Sequence, residues 1–475
     1  MPPLSANTSK IALSDLRKRE EIFLEFLYYV FDSLLIPLIR SNFHVTESNV
    51  HRNRLFYFRH DVWRALAEPT MANIKLSMFD EIQTMKALKI LDARALGSSQ
   101  IRLLPKANGM RPIMNLRRRV TKLKNGRMVL GRSINSVMTP VFNILEYIKK
   151  KDPSSVGSAL FSVGDMYPAL KSLRKRMIEA GTMNSPFYFA KCDVKACFDT
   201  IPQRRVVRMA KQKLDEALYR ICRHAEIKGS AVDKDGTCVA SGIEPARRFA
   251  ATARAAADFT DFGCAVEHGL ANGKRNTVFV DTVLQTCQQR DKIIALLEEH
   301  VEHNMVKVGK KFFKQKAGIP QGSILSSLLC NLFYAELEFE HLGFLRSDEG
   351  ILLRLIDDFL LITTNKNHAQ LFLQTMHDGI EEYGVKVNPA KSLVNFEATV
   401  KGERIAHCST AFPYCGNLIN TRTLEITKDR DRRKESGNAV CFMNYSTWAN
   451  SGQYSRTHLL WRCQEYPARP SIERH

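Results

Sequence analysis

Apolar positions along this chain follow two rhythms. Short unbroken runs of branched and aromatic residues read as buried strands, and apolar residues recurring every three to four positions read as helices. The sharpest strand pair is 351–356 and 359–363, separated only by Asp357 and Asp358. Two apolar strands with almost no linker predict a tight hairpin, whose tip ordinarily carries Asn-Gly or Gly-Gly. Here it carries two acids. Residues 187–194 form another strand, rich in aromatics, that ends in Asp193 and runs on into 195–202. A second hairpin is predicted where 100–106 and 110–115 flank Asn108-Gly109. Helical spacing appears over 21–39, which has Pro37 near its end, over 78–88, and from Gln321-Gly322-Ser323 to Glu340.

The acids set the chemistry. Two like charges on a core hairpin raise each other's pKa unless a cation neutralises them. A hard divalent metal with oxygen ligands is the natural cation. With Asp193 on a neighbouring strand, the carboxylates can hold two Mg²⁺ roughly 3.5–4 Å apart. In such a pair one ion can acidify an attacking hydroxyl and the other can stabilise a leaving oxygen. Asp199 reads as a structural acid or a helix cap.

The segments Asp193-Val194 through Phe198-Asp199, Gly318-Ile319-Pro320-Gln321-Gly322-Ser323 and Leu355-Ile356-Asp357-Asp358-Phe359 resemble motifs A, B and C of reverse transcriptases. Their wording, with Phe412-Pro413-Tyr414-Cys415-Gly416, resembles the telomerase reverse transcriptase family over about residues 22–427. The resemblance implies catalytic Asp193, Asp357 and Asp358, with a backbone oxygen near Val194 completing the metal set. It implies a nucleotide site built from Lys106 and Arg111 on the fingers hairpin, Phe198 beneath the sugar, Gln321, Gly322 and Lys391, the last placed to protonate pyrophosphate. Tyr414, Cys415 and Gly416 match the primer grip. Arg54, Tyr57, Phe58 and Arg59 fall in a basic-aromatic segment like the T motif, where cations grip phosphates and rings stack on bases.

Charge agrees. The 475 residues hold 70 Lys and Arg against 49 Asp and Glu, a formal charge of +21. Such an excess favours a polyanion, with nucleic acid ahead of an acidic lipid surface. No unbroken apolar run reaches about 18 residues, so no membrane span and no membrane partner are expected. Eleven cysteines without framework spacing read as reduced thiols. His300, His303 and Cys287 lack the ligand spacing of a zinc site.

The expected architecture is α+β: a right-hand polymerase with a helical RNA-binding segment at its N-terminus. Residues 1–68 would be the C-terminal part of an RNA-binding domain, 69–427 fingers and palm, and 428–475 a divergent tail in place of a thumb. A fingers insertion is expected at about 215–309. Within it, 249–257 is alanine-rich and favours helix by propensity. The family's anchor domain and most of its RNA-binding domain would be absent. The resemblance further implies telomerase RNA, a telomeric single-stranded DNA primer, deoxynucleoside triphosphates and telomerase accessory proteins as partners, and a nuclear, telomeric location. A mobile-element reverse transcriptase and a non-catalytic RNA-binding fragment are the competing readings.

Overall fold

The computed structural model describes residues 12–47, 55–106, 109–124, 127–229, 246–258, 260–345 and 349–430. The described residues fall into two compact units, one within 12–73 together with 103–111 and the other within 74–102 and 112–430. The expected tail lies outside the described residues beyond 430, and so does Arg54.

In the first unit, one continuous helix runs Leu13–Asn42. Its middle, Tyr29–Leu35, is widened into π geometry just before Pro37. Proline lacks the N–H and its ring crowds the preceding turn, so the ladder adjusts there. No residue of this helix is buried. Its most apolar window has a mean hydropathy of 1.8, long and apolar enough to cross a bilayer by length and composition. Counting unbroken runs missed this because Asp32 interrupts the stretch. The same length and composition also suit a helix that packs within a protein.

After the helix, Phe43–Glu47 pairs antiparallel with Leu55–Arg59. Trp63, on the following helix, stacks on His44 with ring centroids 3.9 Å apart and lies 5.3 Å from Phe58.

The second unit begins with a correction. The 78–88 stretch is not one helix: Phe79–Ile82 is a strand, and the helix is Thr84–Asp92. Pairing of Phe79–Ile82 with Lys311–Gln315 outweighs the local helical spacing. These strands open a sheet that continues through Met305–Val308 to the start of strand Ser99–Lys106, where Val306 and Lys307 pair with Ser99 and Gln100.

The insertion carries a second correction. The alanine-rich segment is the strand Ala246–Ala255, an edge partner of Leu218–Lys228, whose other neighbour is Thr277–Gln289. Ala251, Ala253 and Ala255 alternate inward, and Ala251 and Ala253 join the main core. Helix Ile134–Lys151 packs on this strand. Small inward side chains let a helix approach a sheet closely, and that tertiary packing overrides helix propensity.

The central sheet runs in the order Gly350–Leu355, Asp358–Thr363, Tyr188–Asp193, Leu393–Val394, Ala406–His407. It is covered on both faces. Ala190, Cys192, Phe359 and Leu361 belong to the core formed with helices Ile134–Lys151, Ser326–His341 and Lys366–Asp378. Phe189, Leu360 and Ile362 pack instead with Phe412, Tyr414 and helix Met166–Glu179. A strand buried on both faces reads as a continuous apolar run, the pattern seen at 351–363.

Candidate active site

The hairpin turn is built from Ile356 and Asp357, because Leu355 and Asp358 are register partners across it. The tip therefore carries one acid, and Asp358 is the first residue of the returning strand. Ile356 takes φ of +60°. A β-branched residue in that left-handed region costs about 1–3 kcal/mol, a strain characteristic of functional turns.

Asp358 is also the register partner of Asp193 on the neighbouring strand. Asp193 is 7% exposed. Like charges directly opposite one another destabilise a sheet. The surroundings answer with cations. Lys391 Nζ donates to Asp193 Oδ2 at 2.8 Å, and Lys191 Nζ lies 3.7 Å from Asp358 Oδ1. Burial, together with the Asp193 charge and against the pull of Lys191, holds the Asp358 carboxyl above the usual carboxylate range. Partial burial is the largest single influence on Lys391 and opposes its charge, but the bond to Asp193 and the charges of Asp193, Asp358 and Asp357 together raise its pKa. Asp357 presents its carbonyl to the Val194 N–H at 3.0 Å, which fixes the turn against the Asp193 strand. Asp193, Asp357 and Asp358 are oxygen donors of the type a hard divalent ion prefers, and in the structure Lys391 and Lys191 engage the Asp193 and Asp358 carboxylates. Among the described residues, the ligand atoms of Glu340, His341 and Glu382 lie within 4.8 Å of one another, but this group already holds Arg205, whose nitrogens reach Glu340 at 2.8 Å and Glu382 at 3.4 Å.

The Gln321-Gly322 segment, expected to open the helix, is a turn, and the helix begins only at Ser326. Gly322 has φ of +108°, and a Cβ there would collide with the Met114 carbonyl. Its glycine thus admits the chain's own fingers strand, where close approach of a nucleotide or template base was expected. Gly318, at φ +69°, likewise packs against the backbone of Phe198 and Asp199. Gln321 Nε2 donates to Asp199 Oδ1 at 2.6 Å, which makes Asp199 a structural acid. The Met114 N–H bonds the Gln321 carbonyl at 2.8 Å, and the Phe198 carbonyl accepts from the Ile319 N–H at 2.8 Å. Phe198 itself is half-buried against the main core.

His300 was read only as a poor zinc candidate. It is 1% exposed, its Nε2 lies 2.7 Å from Ser323 Oγ, and its Nδ1 has no partner. Burial pushes its pKa down to about 4. It braces the turn that carries Gln321.

Lys106 and Arg111 are both half-buried at the end of their hairpin, which groups with the first unit. In that unit the Leu55–Arg59 strand alternates: Tyr57 and Arg59 face outward, while Phe58 turns inward toward Trp63. Phe58 is thus a packing ring, whereas Tyr57 is 52% exposed. Arg59 makes two bonds to Asp61, at 3.0 and 2.8 Å.

At the primer-grip turn, Cys415 takes φ of +49° and Gly416 +76°. Burial and the charge of Asp358 push the Cys415 thiol up to about 12, which keeps it protonated and unreactive. Arg354, unremarked in the sequence, is wholly buried three residues before Asp357. Its signal was a lone cation inside the apolar run 351–356. The role of Lys191 was also missed; a cation two positions before Asp193 on the same strand face was the available clue.

A central, mostly antiparallel sheet that presents Asp193 opposite an Asp357-Asp358 hairpin, flanked by a fingers sheet and helices, defines a right-hand polymerase palm of the reverse transcriptase class. The model for reverse transcriptase (RNA-dependent DNA polymerase) matches residues 274–411, and that for the telomerase ribonucleoprotein complex RNA binding domain matches 3–74. The telomerase reverse transcriptase of Canis lupus familiaris is 31% identical over 463 residues, covering 94% of this chain and 39% of that protein. That of Mus musculus is 29% identical over 445 residues, covering 90% and 38%. A solved telomerase from Candida albicans, in complex with a TWJ fragment of telomeric RNA, superposes with a TM-score of 0.61 at 19% identity, covering 89% of this chain and 59% of that one. The chain belongs to the telomerase reverse transcriptase family and spans about two fifths of the length of these relatives.

Proposed function

We propose that this chain carries the catalytic centre for RNA-templated addition of deoxynucleotides to chromosome 3′ ends. The observation that supports it most is the direct cross-strand pairing of Asp193 with Asp358, next to Asp357 in a strained turn. Asp193, Asp357 and Asp358 would hold two Mg²⁺, with a backbone oxygen near Val194 assisting. When bound, such ions acidify a primer hydroxyl and stabilise the leaving pyrophosphate. The chain's own part is positional. The Val194 N–H fixes the Asp357 carbonyl, Lys391 and Lys191 neutralise the carboxylates between turnovers, and the Gln321 turn braces the floor around Phe198. Lys391 also stands close enough to the acids to protonate pyrophosphate. Phe198 would lie beneath the sugar and exclude a 2′-hydroxyl.

Lys106 and Arg111 take the triphosphate in this reading, on resemblance, and Tyr414 to Gly416 hold the primer terminus. Tyr57 and Arg59 present a ring and a cation to telomerase RNA. The remaining partners are a telomeric single-stranded primer, deoxynucleoside triphosphates and telomerase accessory proteins, in the nucleus at telomeres. The reading is tested by primer extension on the purified chain with an RNA template supplied. Asp193→Ala or Asp357→Ala should abolish extension while RNA binding persists; extension that survived either change would refute the metal assignment.

A further inference from the structure

Primer-grip Tyr414 sits on Ala411–Tyr414, more than fifty residues beyond the catalytic hairpin, yet its ring is 1% exposed and packs within the core on the same face as Asp193 and Asp358. Its hydroxyl accepts from the Leu355 N–H at 3.2 Å and donates to the Asp358 carbonyl at 2.9 Å. Leu355 and Asp358 are the two residues that pair across the Ile356-Asp357 turn. One phenolic oxygen therefore satisfies backbone groups on both sides of the turn. Lys191, the cation beside Asp358, lies over the Tyr414 ring with Nζ 5.9 Å from its centroid. The neighbouring Cys415 Sγ is 3.9 Å from Asp358 Oδ2.

We infer that the Tyr414 hydroxyl is a positioning group for the metal-binding turn, setting its width and the direction of Asp357 and Asp358, in addition to any contact Tyr414 makes with primer. The physical case is the strain. Ile356 holds a left-handed conformation that an isoleucine relaxes from unless its neighbours over-determine it. The Val194 N–H bond to Asp357 restrains one edge of the turn, and the Tyr414 hydroxyl restrains both stems. A buried hydroxyl that donates one bond and accepts another uses the capacity a ring alone lacks. Phenylalanine at 414 would keep the packing and remove one partner each from the part-buried Leu355 N–H and Asp358 carbonyl. Groups that orient metal ligands from behind typically change affinity or activity by about 10- to 100-fold when removed.

This inference rests on the metal assignment above, and the test separates the two. The full chain is titrated with Mn²⁺ and followed by electron paramagnetic resonance, as native protein and as Tyr414→Phe. Amide hydrogen exchange is measured at Leu355 in both, and primer extension is run in parallel. The expected result is Mn²⁺ affinity weakened about 10- to 100-fold in Tyr414→Phe, faster exchange at Leu355, lower kcat and an unchanged KM for primer. Equal Mn²⁺ affinity and equal Leu355 protection in the two proteins would overturn the inference while leaving the metal assignment intact. A raised primer KM with unchanged kcat and metal affinity would also overturn it, assigning Tyr414 to primer contact alone. A native chain that bound no Mn²⁺ would overturn the metal assignment, and the inference with it.

Discussion

Replacing Arg354 with methionine removes the cation that ties the catalytic hairpin to its surroundings. The guanidinium is fully buried and makes four hydrogen bonds. Nε reaches Glu338 Oε1 at 2.5 Å, one terminal nitrogen reaches Asn331 Oδ1 at 2.7 Å, and the other reaches the carbonyls of Val156 at 3.0 Å and Asn331 at 3.2 Å. Four charged bonds at about 1.5–3 kcal/mol each would sum to roughly 6–12 kcal/mol. That sum is too large, because Glu338 keeps two donors in Ser158, the N–H at 2.8 Å and the hydroxyl at 2.7 Å. Removing one partner of a buried ion pair costs about 3–5 kcal/mol, and Arg354→Met should fall in that range. Glu338→Leu should cost a similar amount by stranding the guanidinium. The double variant strands neither charge, so its cost should fall below the sum of the singles by at least about 2 kcal/mol. Chemical denaturation of the four proteins at one pH measures this. Additive costs would refute the claim that the two charges act as a pair. Because Arg354 lies three residues before Asp357, the single variant should also lose primer extension at temperatures where it remains folded.

Three further outcomes follow. His300 is held neutral by burial, with its pKa lowered from 6.5 to about 4, so the unfolded chain binds its proton first on acidification. Stability should therefore be full above pH 6.5 and fall toward pH 4 by on the order of 3 kcal/mol, and His300→Leu should flatten that slope in denaturation curves. Gly322→Ala places a Cβ against the Met114 carbonyl at a positive φ, so it should destabilise by roughly 1–3 kcal/mol and reduce extension, whereas wild-type melting would contradict the packing. Arg59→Ala should lower the salt slope of RNA binding by about 0.7 if Arg59 leaves Asp61 for one phosphate, and an unchanged slope would assign Arg59 to the ion pair alone.

The palm was legible because its strands are buried on both faces. The apolar runs around Asp357 and the aromatic run before Asp193 read directly as buried strands, and two acids in such a setting pointed to a cation. What was not legible depends on pairings distant in sequence. The alanine strand at 246–255 exists because Leu218–Lys228 and a helix cover it, and helix propensity alone pointed the other way. Phe79 joins a strand through partners more than two hundred residues later. The Tyr414 hydroxyl and the His300–Ser323 contact are single hydrogen bonds between separate elements, and no local pattern encodes them. Gly322 was read as a site where backbone comes close to a nucleotide or template base; the need for glycine against the Met114 carbonyl, a residue over two hundred positions away, has no local signal.

The central claim is that Asp193, Asp357 and Asp358 together form a two-metal nucleotidyl-transfer site, and primer extension with a defined RNA template in Mg²⁺ tests it most directly. The account predicts templated deoxynucleotide addition by the native chain, none by Asp357→Ala, and equal RNA binding by both. Extension by Asp357→Ala at the native rate would contradict it.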